Sequence, residues 1–319
     1  MAAREILPGV LELEAASGDN RLALYLLRGE RTLLVDSGLH GAPDEAIFPA
    51  LAAAGLPAAL DMLLVSHADA DHHGGNAGVL ARSPSTLVMC HRLDRPRVAS
   101  KERHLRERYT AAVAADDTPF APELLEWLDA HIGPDAPVHL ALGGGEELWL
   151  GPGQRWQVLH APGHTDGHLA LWSAEHGALI AQDAVLGGGV PDAAGRVVSP
   201  PPYFAVEAYL ATIGRLRALS AGLVLTAHFP PVEGAAAVER FLAESERFVH
   251  ELDRVTLEIV RGAGRALTLA EVCAAADRRL GPFPVAVQWV PPVRAHLERH
   301  AAAGRLLALR GTGPRAWTG

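Results

Sequence analysis

Five short stretches of this chain each follow a predicted strand and carry a histidine or an aspartate at that point, and nothing else in the sequence restricts the fold as strongly. They are Asp36 in VDSG, the cluster His67-Ala68-Asp69-Ala70-Asp71-His72, His164 in APGHT, Asp183 in AQDA and His228 in TAHFP. In layered α/β folds strand ends gather along a common edge, so residues placed there meet. Neutral imidazole nitrogens and carboxylate oxygens are the donors that divalent metal ions take. Four imidazoles with three carboxylates can build two adjacent sites. Within the cluster, residues 67 and 69 face one ion while 71 and 72 face the other, and a bridging carboxylate would hold the pair about 3.5–4 Å apart.

The rest of the chain reads as an α/β layered fold around those motifs. Residues 22–27 and 32–35 are strands flanking the turn Arg28-Gly29-Glu30-Arg31, and residues 46–54 are a helix stopped by Gly55 and Pro57. Residues 61–66 and 86–90 are short buried strands. Residues 92–132 turn charged and helical, and are read as an insertion that forms a lid over the site. Strand signals resume at 156–159, 169–172, 179–181 and 223–226. After Pro231 the pattern predicts helices over 235–261, 268–280 and 293–303, then two short strands at 305–309 and 316–317 around Gly311-Thr312-Gly313. That is a winged-helix-like domain at 234–319 behind a catalytic domain at 1–233. Gly143–Gly145 and Gly187–Gly189 lack the strand–helix context of a phosphate-binding loop and are read as turns.

Composition narrows the function. With 319 residues, 49% of them hydrophobic and 20% charged, the chain builds a real core and is too apolar for disorder. Cys90 and Cys273 lie far apart and outside any CxxC pair, which suggests buried thiols in a reduced, cytoplasmic setting. The N-terminal MAAREILPGVLELE carries charges where a signal peptide needs an apolar run, and no run of about 18 apolar residues occurs, so no membrane is expected. The net charge of −9 divides into −12 over residues 1–233 (16 Lys+Arg against 28 Asp+Glu) and +3 over 234–319 (12 against 9). An acidic body repels polyanions, and +3 is too small for a basic footprint. The partners expected are a small-molecule substrate and, at most, a second copy of the chain; nucleic acid is not among them.

In chain order these motifs resemble those of the metallo-β-lactamase-fold hydrolases: a strand-end HxHxDH, a lone His, a bridging Asp and a last His. The resemblance covers roughly residues 5–233. It implies an αββα sandwich with metals at one sheet edge and two divalent ions, zinc first. Carried over residue by residue, His67, Asp69 and His164 hold one ion, Asp71, His72 and His228 hold the other, and Asp183 bridges. Asp36 stands behind them and orients ligands. One position departs: the second His of the pattern is Asp69 here, giving HxDxDH. Aspartate still ligates, but its charge and harder oxygen move preference toward manganese or iron. More loosely, GHTDGHLAL and the C-terminal helices resemble the subfamily with a small winged-helix domain that includes the β-lactamase-like endoribonucleases.

The function this resemblance implies is a dinuclear metal-dependent hydrolase, in which a metal-bridging water attacks an ester, thioester, lactone or amide carbonyl and Asp71 steers its proton. Two other readings stay open: a phosphodiesterase or ribonuclease, suggested by the C-terminal helices, and iron-dependent oxygen or sulfur chemistry, suggested by Asp69. His168, four residues past His164, is a candidate for substrate contact or for orienting a ligand, with a purely structural role as the other reading, and Tyr203 in SPPPYF is read either as a substrate contact or as a packing residue.

Overall fold

The computed structural model describes residues 3–110, 122–309 and 314–319. Seven strands pair in chain order to form the first sheet: β1 (Ala3–Leu7), β2 (Val10–Ser17), β3 (Asn20–Arg28), β4 (Thr32–Val35), β5 (Met62–Leu64), β6 (Leu87–His91) and β7 (Leu140–Leu142). Side-chain alternation along β3 shows why this sheet is covered on both sides. Leu22, Leu24 and Leu26 belong to one buried cluster, and Ala23, Tyr25 and Leu27 to another. A strand apolar on both faces needs a layer against each.

The second sheet supplies one of those layers. It is built from β8 (Glu147–Trp149), β9 (Arg155–His160), β10 (Leu169–Ser173) and β11 (Ala178–Ile180), with a separate small hairpin β12 (Val190–Pro191) and β13 (Val197–Ser199) intervening before β14 (Leu223–Leu225) and β15 (Val232–Glu233). Trp156, Val158, Leu171, Ile180 and Leu225 pack onto Tyr25, Leu33 and Leu64 of the first sheet. Each fully buried side chain of this size contributes about 1.5–3 kcal/mol. Helices Phe48–Ala53 and Asn76–Arg82 cover the outer face of the first sheet, and helices Val206–Ala218 and Ala235–Gly262 that of the second. The layers are therefore αββα, as the family resemblance implies.

Helix Ala235–Gly262 buries Val238, Leu242, Val249, Leu252 and Val255 at helical spacing. Helix Leu269–Leu280 starts from a capping box between Thr268 and Glu271, and helix Val290–Ala302 follows. Three short strands, β16 (Leu267–Thr268), β17 (Leu307–Leu309) and β18 (Ala316–Thr318), pair in the order β16-β18-β17. Their core is continuous with the outer face of the second sheet, from Leu179 and Val224 through Tyr209 to Trp289 and Trp317. The insertion contributes helices Arg95–Val98, Lys101–His104 and Pro122–His131 and the π-helical turn Leu105–Thr110. Its residues 111–121, and the turn expected at Gly311-Thr312-Gly313, lie outside the described residues. Both cysteines are buried free thiols, and among the described residues no helix is long and apolar enough to cross a membrane.

Candidate metal centre

The five motifs leave their strands toward one edge of the sandwich. Asp36 follows β4, and the 67–72 cluster follows β5 and enters helix Ala70–His73. His164 lies between β9 and β10, Asp183 in the turn Gln182–Ala184 after β11, and His228 after β14. Asp36 is left-handed at φ 65° and Gln182 at φ 45°. Aspartate tolerates that region better than most residues. The Asp36 carboxylate accepts hydrogen bonds from the Ser66 amide at 2.6 Å, the Ser66 hydroxyl at 2.8 Å, His72 Nδ1 at 2.8 Å and Gln182 Nε2 at 2.5 Å. The last of these ties the second sheet to the first.

Such bonds decide which nitrogen each imidazole presents. An ionised carboxylate only accepts, so His72 Nδ1 carries a proton and Nε2 is the nitrogen turned to the site. His164 Nδ1 donates to the Pro202 carbonyl at 2.6 Å, and His228 Nδ1 to the Arg21 carbonyl at 2.9 Å. Ser66 gives its one hydroxyl proton to Asp36, so its oxygen accepts from His67 Nδ1 at 3.0 Å. Four Nε2 atoms thus face one space. His67 and His164 Nε2 stand 3.1 Å apart, and Asp69 Oδ2 is 3.0 Å from His164 Nε2. Asp183 Oδ2 lies 3.3 Å from His228 Nε2, 3.5 Å from His72 Nε2, 3.9 Å from His164 Nε2 and 4.0 Å from His67 Nε2. Asp71 carboxylate oxygens are 3.7 Å from His72 Nε2 and 3.8 Å from His228 Nε2.

This donor set fits divalent cations. Nitrogen lone pairs at 3.1 Å repel unless a cation or proton lies between them. His72 Nε2 and Asp183 Oδ1 are buried with no hydrogen-bond partner among the described residues, a cost native proteins rarely leave uncompensated. The donor atoms form three groups of mutual neighbours: His67 with Asp69 and His164, His67 with His72 and Asp183, and Asp71 with His72 and His228. Charges follow the same geometry. Burial favours neutral His228, yet the Asp183 carboxylate overrides it and raises the pKa to about 9. His72 is raised against burial by Asp71, Asp36 and Asp183, while burial and the nearby His72 push His67 well down.

Three further residues shape the centre and were not legible as site residues. Arg108, 7% exposed, clamps Asp69 with Nε to Oδ1 at 2.6 Å and Nη2 to Oδ2 at 2.8 Å, and its guanidinium lies 4.0 Å from the Phe204 ring centre. Buried Asp94 accepts from the Ala68 amide at 3.0 Å and the Thr165 hydroxyl at 2.8 Å, pinning together the loops that carry His67 and His164. Gly163 has φ 135°, and a Cβ there would stand 2.5 Å from Tyr209 Cα, so only glycine lets the APGHT turn approach the helix behind it. The two candidate substrate contacts are placed elsewhere. His168 is fully buried and stacks on His67 with ring centres 4.7 Å apart. Tyr203 is fully buried, stacks on Tyr209 and bonds His296 Nε2 at 2.9 Å. The SPPPYF loop turns the Pro202 carbonyl toward the centre, while the Tyr203 ring joins the core beneath the C-terminal helices.

A cavity of about 860 Å³ has Asp69, Asp71, His164, Asp183 and His228 in its lining. Leu124 and Trp127 of the insertion, Phe204, and Val285, Val287 and Val290 of the C-terminal region form much of its wall.

A metal-centre protein of the αββα class is what this fold and this edge site define. The model of the metallo-beta-lactamase superfamily matches residues 18–228, and the chain belongs to that superfamily, whose members are mostly metal-dependent hydrolases. A metallo-beta-lactamase family protein from Thermus thermophilus shares the fold with a TM-score of 0.76 at 24% identity, over 98% of this chain and 99% of that one. A beta-lactamase domain protein from Burkholderia ambifaria also gives 0.76, at 20% identity, over 99% and 94%. The hydroxyacylglutathione hydrolase of Synechococcus sp. (strain JA-3-3Ab) is 28% identical over 164 residues, 51% of this chain. The match spans about half of that relative's length, 47%.

Proposed function

We propose that this protein holds two divalent ions, zinc first, and hydrolyses an ester, thioester, lactone or related acyl bond of a small molecule. The observation that carries this reading is the convergence of four imidazole Nε2 atoms and three carboxylates at one edge of the sandwich, with Asp69, Asp71, His164, Asp183 and His228 lining the cavity. His67, Asp69 and His164 would hold one ion, Asp71, His72 and His228 the other, with Asp183 between them. When bound, such ions lower the pKa of water toward neutrality and polarise a carbonyl oxygen.

The chain's own residues prepare that chemistry. Main-chain carbonyls fix the tautomers of His164 and His228, and Asp36 fixes that of His72, so no ligand has to reorganise. Asp71 lies in the cavity lining, where it would hold the proton of the attacking water. Phe204, Trp127 and Val285 form apolar walls that suit an acyl group and exclude bulk water from it. Thioesters are the first bond to test, because hydroxyacylglutathione, named in the Synechococcus relative, is one. Against a nucleic-acid substrate stand the −12 balance of residues 1–233 and the burial of helix Val290–Ala302 through Val293, His296, Leu297 and His300. A cytoplasmic setting belongs to the same reading.

Zinc-loaded protein assayed on an acyl thioester, an oxygen ester, a lactone, a phosphodiester and RNA tests the proposal. Turnover of one or more carbonyl substrates, abolished by chelation and restored by metal, is the expected result. Cleavage of the phosphodiester or RNA alone would reject it.

A further inference from the structure

The two halves of the centre are not electrostatically alike. Asp69 belongs to the group with His67 and His164, yet both its oxygens already receive hydrogen bonds from Arg108, at 2.6 and 2.8 Å. Arg108 is buried and its guanidinium is stacked over Phe204, so it is boxed in beside the carboxylate. A bidentate guanidinium occupies a carboxylate's lone pairs more fully than any single donor. Around Asp71, His72 and His228 the ion pairs run to one another and to Asp183 and Asp36.

Formal charge sharpens the contrast. Asp36, Asp69, Asp71 and Asp183 contribute four negative charges and Arg108 returns one, its guanidinium lying on Asp69 while Asp36 lies on His72. A first divalent ion at the Asp71, His72 and His228 position meets carboxylates that no cation holds. A second must then enter a cluster whose charge is largely cancelled, beside a fixed guanidinium and at a carboxylate that guanidinium already holds.

We propose that Arg108 makes the two metal positions unequal: the position of Asp71, His72 and His228 fills first and tightly, and the Asp69 position fills weakly because Arg108 competes for its carboxylate. The proposal rests on the two-ion reading above. Arg108 is a positioning residue here, and because it belongs to the insertion that walls the cavity, the affinity of one metal position is set from that wall.

Chelator-stripped protein titrated calorimetrically with Zn²⁺ alone tests this. Wild type is expected to bind two ions in two steps, the second weaker by at least about tenfold. R108Q removes the charge and narrows that gap by about tenfold or more, with two ions still bound. R108M, which keeps an apolar stem against Phe204, does the same if R108Q fails to fold. R108K keeps the charge and therefore the gap. Equal steps in wild type, a gap lost in R108K, or a second step weakened by R108Q would overturn the proposal; that last result means Arg108 merely holds Asp69 in a ligating pose. Two ions bound with an unchanged gap in R108Q overturn only the role of Arg108. Saturation at one ion in both wild type and R108Q overturns the two-ion reading along with it.

Discussion

Asp36 shows how much of this centre depends on residues that would touch no metal. It receives four donors while fully buried, and its bond to His72 Nδ1 sets which nitrogen that ring presents. Asp36→Asn substitutes an amide that can offer a donor where an acceptor is needed, and such changes behind a metal site cost about 10–100-fold in metal affinity. Competition with a chromophoric chelator measures the loss, with an unchanged circular dichroism spectrum as the control. Asp69→Ala is expected to do two things at once: remove one metal position and leave the Arg108 guanidinium buried without its carboxylate, at a cost of about 3 kcal/mol. Metal content and urea unfolding report the two effects separately. The candidate ligands were legible in the sequence because each follows a short apolar strand, a context that survives without coordinates. Arg108 was not. It sits among Arg103, Arg106 and two glutamates in a stretch that reads as a solvated helix, and its partner lies 39 residues away. Tyr203 could be read either as a substrate contact or as a packing residue, because a proline-rich loop near the motifs looks like a cavity rim; what decides for packing is a helix that begins far later in the chain and carries His296.

Elements meet the centre through close backbone approaches. Gly163 is the clearest: Gly163→Ala would force the APGHT turn away from helix Val206–Ala218 and carry His164 with it. The expected outcome is loss of one bound ion and most of any hydrolytic activity, read from metal content and turnover together. A second contact lies between helices Ala235–Gly262 and Val290–Ala302. There burial alone would raise the Asp253 carboxyl, but the His296 hydrogen bond at 3.0 Å and the charges of His300, His296 and Arg299 hold it well below the ordinary range. A carboxyl depressed in the folded state stabilises above its unfolded pKa of about 3.9 and loses that contribution as pH falls below it. Asp253→Asn is therefore expected to lower stability at pH 7 and flatten its decline between about pH 4 and pH 2, measured by urea unfolding across that range. The positions of β3, β4, β9 and β10 were legible because apolar runs end at turn residues, with both ends matched only for β4. β1 and β2 were missed: the LELEAAS of β2 looks half solvated, and Glu12 is buried only because Arg4 and Arg21 pair with it.

For the whole molecule, one continuous apolar cluster runs from the second sheet into the C-terminal helices. A chain cut at residue 233 exposes Leu179, Tyr209 and their neighbours, and is expected to lose near-UV circular dichroism and aggregate. The three C-terminal helices were visible from their periodicity, whereas their share in the cavity wall, through Val285 and Val290, was not, since it follows from how the layers dock. The acidic balance predicts no salt-sensitive binding of RNA or DNA by the full chain, which fluorescence anisotropy at low and high salt checks. The central claim, that seven side chains gathered from separate strand ends hold two ions, is tested most directly by elemental analysis of protein dialysed to equilibrium against excess Zn²⁺, with the dialysate's metal subtracted, beside the single variants His164→Ala and His228→Ala. The account predicts two divalent ions per chain in the wild type and one in each variant; one ion or none in the wild type, or two retained by both variants, would contradict it.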